Sequence, residues 1–258
     1  MLSVLINTKN EEVNIKGCIE SAATIASEIV VVDMQSHDNT QKIARELGSV
    51  VISCPDFGYV EPARQLGVSA CKYTWILILD ADERLTEQAL SAVRKIIEID
   101  EVDLAWIPRL NYFYGEPVLH TGWGPNQDKQ LRLFKKNIIE FSTKIHSTPL
   151  MSKGAKVSTL NVSNKEYIIH ENYKSRSHFI EKLNRYTDIQ AIDFGGNRNK
   201  SFSGFHFFYY PLKEFLLRFI YLKGYKDGPL GFELSLSMAF YKLMLCAKYN
   251  EFIEKSKP

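Results

Sequence analysis

The stretch that most constrains this chain is Trp75-Ile76-Leu77-Ile78-Leu79 running into Asp80-Ala81-Asp82-Glu83. An unbroken apolar run of this length reads as a strand buried on both faces, the pattern of a parallel sheet covered by helices. The carboxylates that follow repel one another unless a cation sits among them, and a hard divalent ion with oxygen ligands is the usual one. Open α/β sheets place their ligands at the carboxyl ends of their strands. The Asp-x-Asp is therefore expected to form a metal and phosphate site; the alternative is an acidic turn capping the next helix. A phosphatase with an Asp nucleophile two residues before an acid/base Asp would carry Thr or Val where Arg84 stands, and would place the pair on the first strand of its domain.

Other strands lead to the same edge. Ser3–Asn7 reads as a strand ending in the polar run Thr8-Lys9-Asn10-Glu11-Glu12, and Ile29–Val32 as a second ending on Asp33. Helical spacing of Ile15, Ile19, Ala22, Ala23 and Ala26 lies between them. The loop Met34–Thr40 is rich in helix-capping side chains, and the helix after it stops at Gly48. Val50–Ser53 makes a third strand, a helix runs from about Pro62 to Cys71, and Thr86 opens another through about Glu98. Strands alternating with helices predict βαβ units and a parallel sheet. Three strand ends should then converge on one ligand.

After Asp103 the rhythm changes. Leu104–Pro108 and Asn111–Tyr114 read as separate strands, a Gly/Pro-rich loop spans 121–128, and Gln130–Phe134 alternates as a half-buried strand does. Residues 141–170 carry short strand candidates with His146 and His170. From about Tyr173 the chain turns helical, with one helix over Ser177–Phe194 and a break at Gly195-Gly196-Asn197.

Charge follows the same division. Residues 1–103 hold 9 Lys/Arg against 17 Asp/Glu and the remainder 23 against 13, so an acidic front meets a basic back within a net +2. The two parts should face different partners. The basic residues are scattered and no recognition motif appears, which argues against nucleic acid. Cys18, Cys54, Cys71 and Cys246 lack metal or redox spacing and read as buried thiols in a reducing compartment. With no signal-peptide pattern at the start, the expected location is the cytoplasm. The apolar stretch Phe205–Leu222 is interrupted by Lys213, Glu214 and Arg218 and cannot span a bilayer as a regular helix. It reads either as an interfacial helix facing anionic headgroups or as core helices packing on the rest of the chain or on a second subunit.

Taken together, Asn10-Glu11-Glu12, Val32-Asp33 with Ser36-x-Asp38-x-Thr40, Ala63-Arg64-Gln65 and Leu79–Glu83 resemble the family 2 glycosyltransferases of the GT-A fold. Gln130–Phe134, Ile145-His146 and Lys182–Thr187 resemble a bacterial subgroup that glycosylates the inner core of lipopolysaccharide or lipooligosaccharide. The subgroup usually has Gln-Arg-Asn where Ala63-Arg64-Gln65 stands here, and an acidic residue where Ser147 follows His146. The resemblance implies an α/β, Rossmann-like sheet with helices on both faces over residues 1–172 (nucleotide-sugar half 1–103, acceptor half 104–172) and a helical extension over 173–258.

It also implies roles. Thr8, Asn10, Glu11, Asp33, Ser36, Asp38, Arg64, Asp80 and Arg132 would line the nucleotide pocket, with Arg64 near the diphosphate and Arg132 either there or in a structural ion pair. Asp82 would ligate Mg²⁺ or Mn²⁺ with His146 as a further ligand, His170 being the second histidine weighed for that place. Glu83 would support the site from behind. Asp128 would be the base, or else a loop residue capping a turn. The implied reaction is inverting transfer of glucose from UDP-glucose to a lipid-linked saccharide, at the inner face of an anionic membrane. A sugar nucleotidyltransferase is a rival reading, although Asn7–Asn14 holds no glycine for a phosphate loop. A catalytically silent assembly module on the same scaffold is another.

Overall fold

The structure, a computed structural model, describes residues 1–57, 60–141, 149–195 and 201–255. In chain order its elements are β1 (Leu2–Thr8), α1 (Ile15–Ala22), β2 (Glu28–Asp33), α2 (Thr40–Glu46), β3 (Val50–Ser53), α3 (Glu61–Ala70) and β4 (Trp75–Asp80). Next come β5 (Glu83–Leu85), α4 (Glu87–Ile99), β6 (Leu104–Phe113), β7 (Glu116–Pro117), β8 (Lys129–Lys135), β9 (Ile139–Glu140), β10 (Leu150–Met151), β11 (Val157–Thr159) and β12 (Ile168–Tyr173). The chain ends in α5 (Arg176–Gly195), α6 (Gly204–Leu216), a π turn at Leu217–Tyr221 and α7 (Gly228–Lys255). Two compact units result: Met1–Leu110 with Asp128–His170, and Asn111–Gln127 with Glu171–Pro258.

The first unit is built on a sheet ordered β3-β2-β1-β4-β8-β6. β1 pairs in parallel with β2 on one side and β4 on the other. The strand pleat sends alternate residues to opposite faces. Val4, Ile6, Val31, Leu77 and Leu79 accordingly pack with α1, α2 and α4, while Leu5, Val30, Val32, Ile76 and Ile78 pack with Ala63 and Val68 of α3. Helices thus cover both faces, as the apolar runs predict. α3 comes especially close: a Cβ on Gly67 would lie 2.3 Å from Leu5 Cδ1. Thr86 caps α4 by accepting a hydrogen bond from the Ala89 amide at 3.1 Å. All four cysteines are buried thiols.

Two expectations are corrected. The central strand is parallel to its neighbour on one side only, because β8 pairs with β4 antiparallel (Ile76 opposite Phe134). An apolar run reports burial of both faces, not the direction of both neighbours. Residues 104–113 form one strand, not two. Pro108 suggested a break because it cannot donate to a ladder. Here it lies opposite Lys129, and the ladder resumes at once with the Arg109 amide donating to the Asp128 carbonyl at 2.8 Å.

The second unit holds α5, α6 and α7 with the segment 111–127. Its aromatic centre is Phe113, with ring centroids 5.1 Å from Trp123, 4.9 Å from Tyr173 and 5.7 Å from Phe179. Tyr114 and Gly115, both at positive φ, make the two-residue turn that joins the end of β6 to β7. The Arg218 guanidinium lies 4.4 Å from the Trp123 ring and donates to the Thr121 carbonyl at 2.7 Å. Among the described residues one helical stretch, Gly224–Lys255, is long and apolar enough to cross a membrane by length and composition, and 39% of its most apolar window is buried in the protein.

Candidate active site

The parallel register decides what meets at the carboxyl edge. Thr8 stands opposite Asp33, and Asn7 opposite Asp80. Asn7, Thr8 and Asp33 are all buried. Asp33 Oδ2 accepts from the Ser36 amide at 2.9 Å and from Gln41 at 2.6 Å, whereas its Oδ1 has no partner. Thr8 Oγ1, both amide atoms of Asn7, and the Nε atoms of Arg64 and Arg132 are likewise buried without partners. Each such atom costs about 1–3 kcal/mol. A cluster of them on one sheet edge marks a place shaped for a polar ligand.

The loops after β1 and β2 brace each other. The Asn10 amide donates to Ser36 Oγ and the His37 amide to Asn10 Oδ1, with Asn10 itself at φ 53°. The Glu11 amide donates to Thr40, and Asp38 accepts from the Glu12 and Thr40 amides. Desolvation would raise the Asp38 pKa, but these hydrogen bonds to its charged form prevail and lower it. Ser36 and Asp38, expected in the nucleotide pocket, thus bond to the backbone of the loop after β1.

Behind the edge lies an ionic network of three guanidiniums and three carboxylates. Arg132 Nη2 is 2.6 Å from Asp80 Oδ2 and 2.6 Å from Glu83 Oε1. Arg64 reaches Asp80 at 3.3 Å. Arg109 joins Glu83 at 3.2 Å to Asp128 at 2.9 Å, and Gln130 donates to the other oxygen of Asp128 at 2.6 Å. Glu83 is fully buried, and its second oxygen accepts from the Asp80 amide at 3.0 Å, which ties down the Asp-x-Asp turn. Desolvation alone would push the Asp80 carboxyl up; the Arg132 and Arg64 guanidiniums outweigh it and hold it far below the usual range. Arg132 shows the converse, its charge held by Asp80 and Glu83 against the cost of burial.

Asp82 lies between two members of this network in the chain. Its Oδ2 lies 3.3 Å from His170 Nε2. Strand pairing brings them together, because His170 of β12 sits opposite Glu83 of β5. One carboxylate oxygen beside one imidazole nitrogen fits a divalent ion that completes its shell with phosphate oxygens and water. Among the described residues no group of three or more His, Cys, Asp or Glu could hold an ion alone. His146, the expected metal ligand, lies outside the described residues.

The structure thus gathers Thr8, Asp33, Arg64, Asp80 and Arg132 at one edge, with Arg132 in the ion-pair arrangement, and keeps Asp128 on the same network through Arg109. Sequence reasoning did not single out Asn7 or Arg109, and it weighed both His146 and His170 as metal ligands, with His146 first. Arg109 did leave a signal, as the one charged side chain in the strand 104–113.

A family model described as "Glycosyl transferase family 2" matches residues 3–155, more than half of the chain. The chain belongs to that family. As a family 2 glycosyltransferase it is 31% identical to a glycosyltransferase of Rickettsia typhi over 269 residues, covering 99% of this chain and 89% of the relative. It is 26% identical to the lipopolysaccharide core biosynthesis glycosyltransferase LpsC of Rhizobium meliloti, covering all of this chain and 95% of the relative. Among solved structures, glucosyl-3-phosphoglycerate synthase of Mycobacterium tuberculosis aligns with a TM-score of 0.37 at 20% identity, covering 43% of this chain and 44% of that one. The family 2 match includes every member of the ionic network and Asp82, and ends before His170.

Proposed function

We propose that this glycosyltransferase moves glucose from UDP-glucose, with inversion, to a lipopolysaccharide or lipooligosaccharide core acceptor, working at the cytoplasmic face of the membrane. The observation that carries the donor site is the cluster of buried, unpartnered polar atoms on Asn7, Thr8, Asp33, Arg64 and Arg132. Those atoms are matched by a base, a ribose and a diphosphate. The likeness to the R. meliloti core transferase supports the acceptor class.

Each residue then has one task. Thr8 and Asp33 Oδ1 hydrogen-bond base or ribose, Asn7 offers both a donor and an acceptor beside them, and Arg64 Nε meets the diphosphate. Asp82 and His170 would hold Mn²⁺ or Mg²⁺, which supplies positive charge against the departing diphosphate. The imidazole nitrogen suits a transition ion better than Mg²⁺. Asp128 takes the proton of the acceptor hydroxyl, oriented by Arg109 on one oxygen and Gln130 on the other. The acceptor oxygen bonds to the sugar's anomeric carbon as the carbon–oxygen bond to the diphosphate breaks, and UDP leaves with that electron pair.

The test is thermal unfolding with Mn²⁺ and a series of nucleotides and sugar nucleotides. Ligands that bind only the folded state raise the midpoint by mass action. A metal-dependent rise with UDP and UDP-glucose is expected, abolished in Asp82→Asn. No rise with any nucleotide would sink the reading.

A further inference from the structure

α6 contradicts its own composition. Nine of its thirteen residues are Phe, Tyr, Leu or Pro between Phe205 and Leu216, yet none of the thirteen is buried. A helix apolar on all sides normally lies inside a protein or in lipid. Here Phe205, Phe208, Leu212 and Leu216 are exposed, and the π turn adds Ile220 and Tyr221, with Phe208 at 69% and Tyr221 at 76%. Phe208, Leu212, Leu216 and Ile220 follow four-residue spacing, so they form one continuous stripe. α7 extends the apolar surface with Phe232, Leu236 and Phe240, again four apart and each about half exposed.

The charges on this face have one sign. Between residues 201 and 226 the sole carboxylate is Glu214, and Arg218 holds it at 2.6 Å. Lys213, Lys223 and Lys226 are exposed. Lys213 borders an apolar groove of about 440 Å³ with Tyr209, Leu212 and Leu217. Lys223 and Lys226 line a polar cleft of about 200 Å³ with His120, Asn126 and Gln127. Asp227, the acid beside that cleft, is occupied by His120 Nδ1 at 3.0 Å and by the Leu119 and His120 amides.

We propose that α6 and its π turn dock this unit in the plane of an anionic phospholipid bilayer, with the aromatic stripe among the upper acyl chains and Lys213, Lys223 and Lys226 on headgroup phosphates. Aromatic and aliphatic side chains bordered by lysines are the composition of an interfacial helix, and the unpaired positive charge complements an anionic leaflet. An in-plane placement also fits α7 better than a crossing. Lys248 of α7 is held by Asp188 at 2.7 Å, by Asn184 at 2.7 Å and by Thr187 at 2.8 Å, and Tyr241 by Gln190 at 2.7 Å. Crossing a bilayer would take this polar seam of α5 and α7 into hydrocarbon. The inference does not depend on the transferase reading.

The test uses flotation of the full chain with vesicles of phosphatidylcholine alone and of phosphatidylcholine with phosphatidylglycerol. The wild type should float with the anionic vesicles, remain largely unbound with the zwitterionic ones, and be released by alkaline carbonate. Phe208→Ser/Leu216→Ser/Ile220→Ser should abolish flotation. Lys213→Glu/Lys223→Glu/Lys226→Glu should weaken it by more than about tenfold, since each lysine near the surface counts for roughly 1 kcal/mol. Unchanged urea midpoints in both variants would show that the surface, and not the fold, was altered. Three results would overturn the proposal: a wild type that stays unbound with anionic vesicles, a bound protein that resists carbonate as a spanning helix does, or a dimer in solution that the serine variant dissolves.

Discussion

His170 Nε2 stands 3.3 Å from Asp82 Oδ2, joined not by a local motif but by the antiparallel pairing of β12 with β5. Either substitution, Asp82→Asn or His170→Ala, should therefore weaken Mn²⁺-linked binding of UDP by about tenfold or more, the scale on which metal-site changes act. Isothermal titration with UDP in the presence and absence of Mn²⁺ reads this directly. Equal affinity of His170→Ala and wild type in Mn²⁺ would remove the histidine from the site.

Arg132 is almost wholly buried and serves Asp80 and Glu83 through one nitrogen. Arg132→Met takes the nearest cation from both carboxylates, leaving Asp80 with Arg64 alone and Glu83 with Arg109 alone, and should cost up to about 3–5 kcal/mol in urea unfolding. Arg132→Met/Glu83→Gln should recover part of that loss, because one stranded charge is gone. A single variant as stable as the wild type would mean that the network relaxes around the missing charge.

The depressed Asp80 carboxyl gives stability a pH dependence of known sign. Its folded-state pKa lies below the ordinary value of 3.8, so the stabilisation is fully present above that value and is lost as pH falls through and below it. Urea midpoints measured from neutral pH to about pH 3 should fall in the wild type, and fall less steeply in Asp80→Asn. Identical slopes would place the acid sensitivity elsewhere.

Gly231, in the first turns of α7, faces the backbone of Gly224: a Cβ there would lie 1.9 Å from the Gly224 carbonyl oxygen. Backbone cannot rotate aside as a side chain does, so Gly231→Ala should destabilise by about 1–3 kcal/mol. Gly204→Ala is the matched control, since no neighbour lies within 4 Å of its added Cβ. It should be neutral or stabilising by up to about 1 kcal/mol. Equal thermal midpoints for the two variants would refute the close approach.

The sequence made the nucleotide half legible where physics acts locally. The apolar runs of β1, β2 and β4 cannot be solvated, their polar ends announce an edge, and Thr86 caps the helix it was expected to open. Glu83, expected behind the site, is fully buried and accepts from the Asp80 amide. What stayed hidden depends on pairings distant in sequence. Nothing near Gln130–Phe134 says that β8 runs antiparallel to β4, and nothing near His170 says that it will face β5. Asn7 looked like the last residue of a strand until the register set it opposite Asp80. The grouping of 111–127 with the C-terminal helices has a similar origin, since Trp123 finds Phe113 and Phe179 only after the whole chain is laid down.

β6 leaves the first unit at Leu110, and the chain returns at Asp128 and departs again after His170. The unit that carries the site is therefore not a cassette that can be cut from the gene at one boundary. A chain truncated at residue 155, where the family match ends, keeps Asp82 and loses the imidazole beside it. Chimeras that exchange donor specificity with a relative would have to carry the junctions at 110, 128 and 170 together. On the ribosome, the same threading delays completion of the site until β12 has emerged.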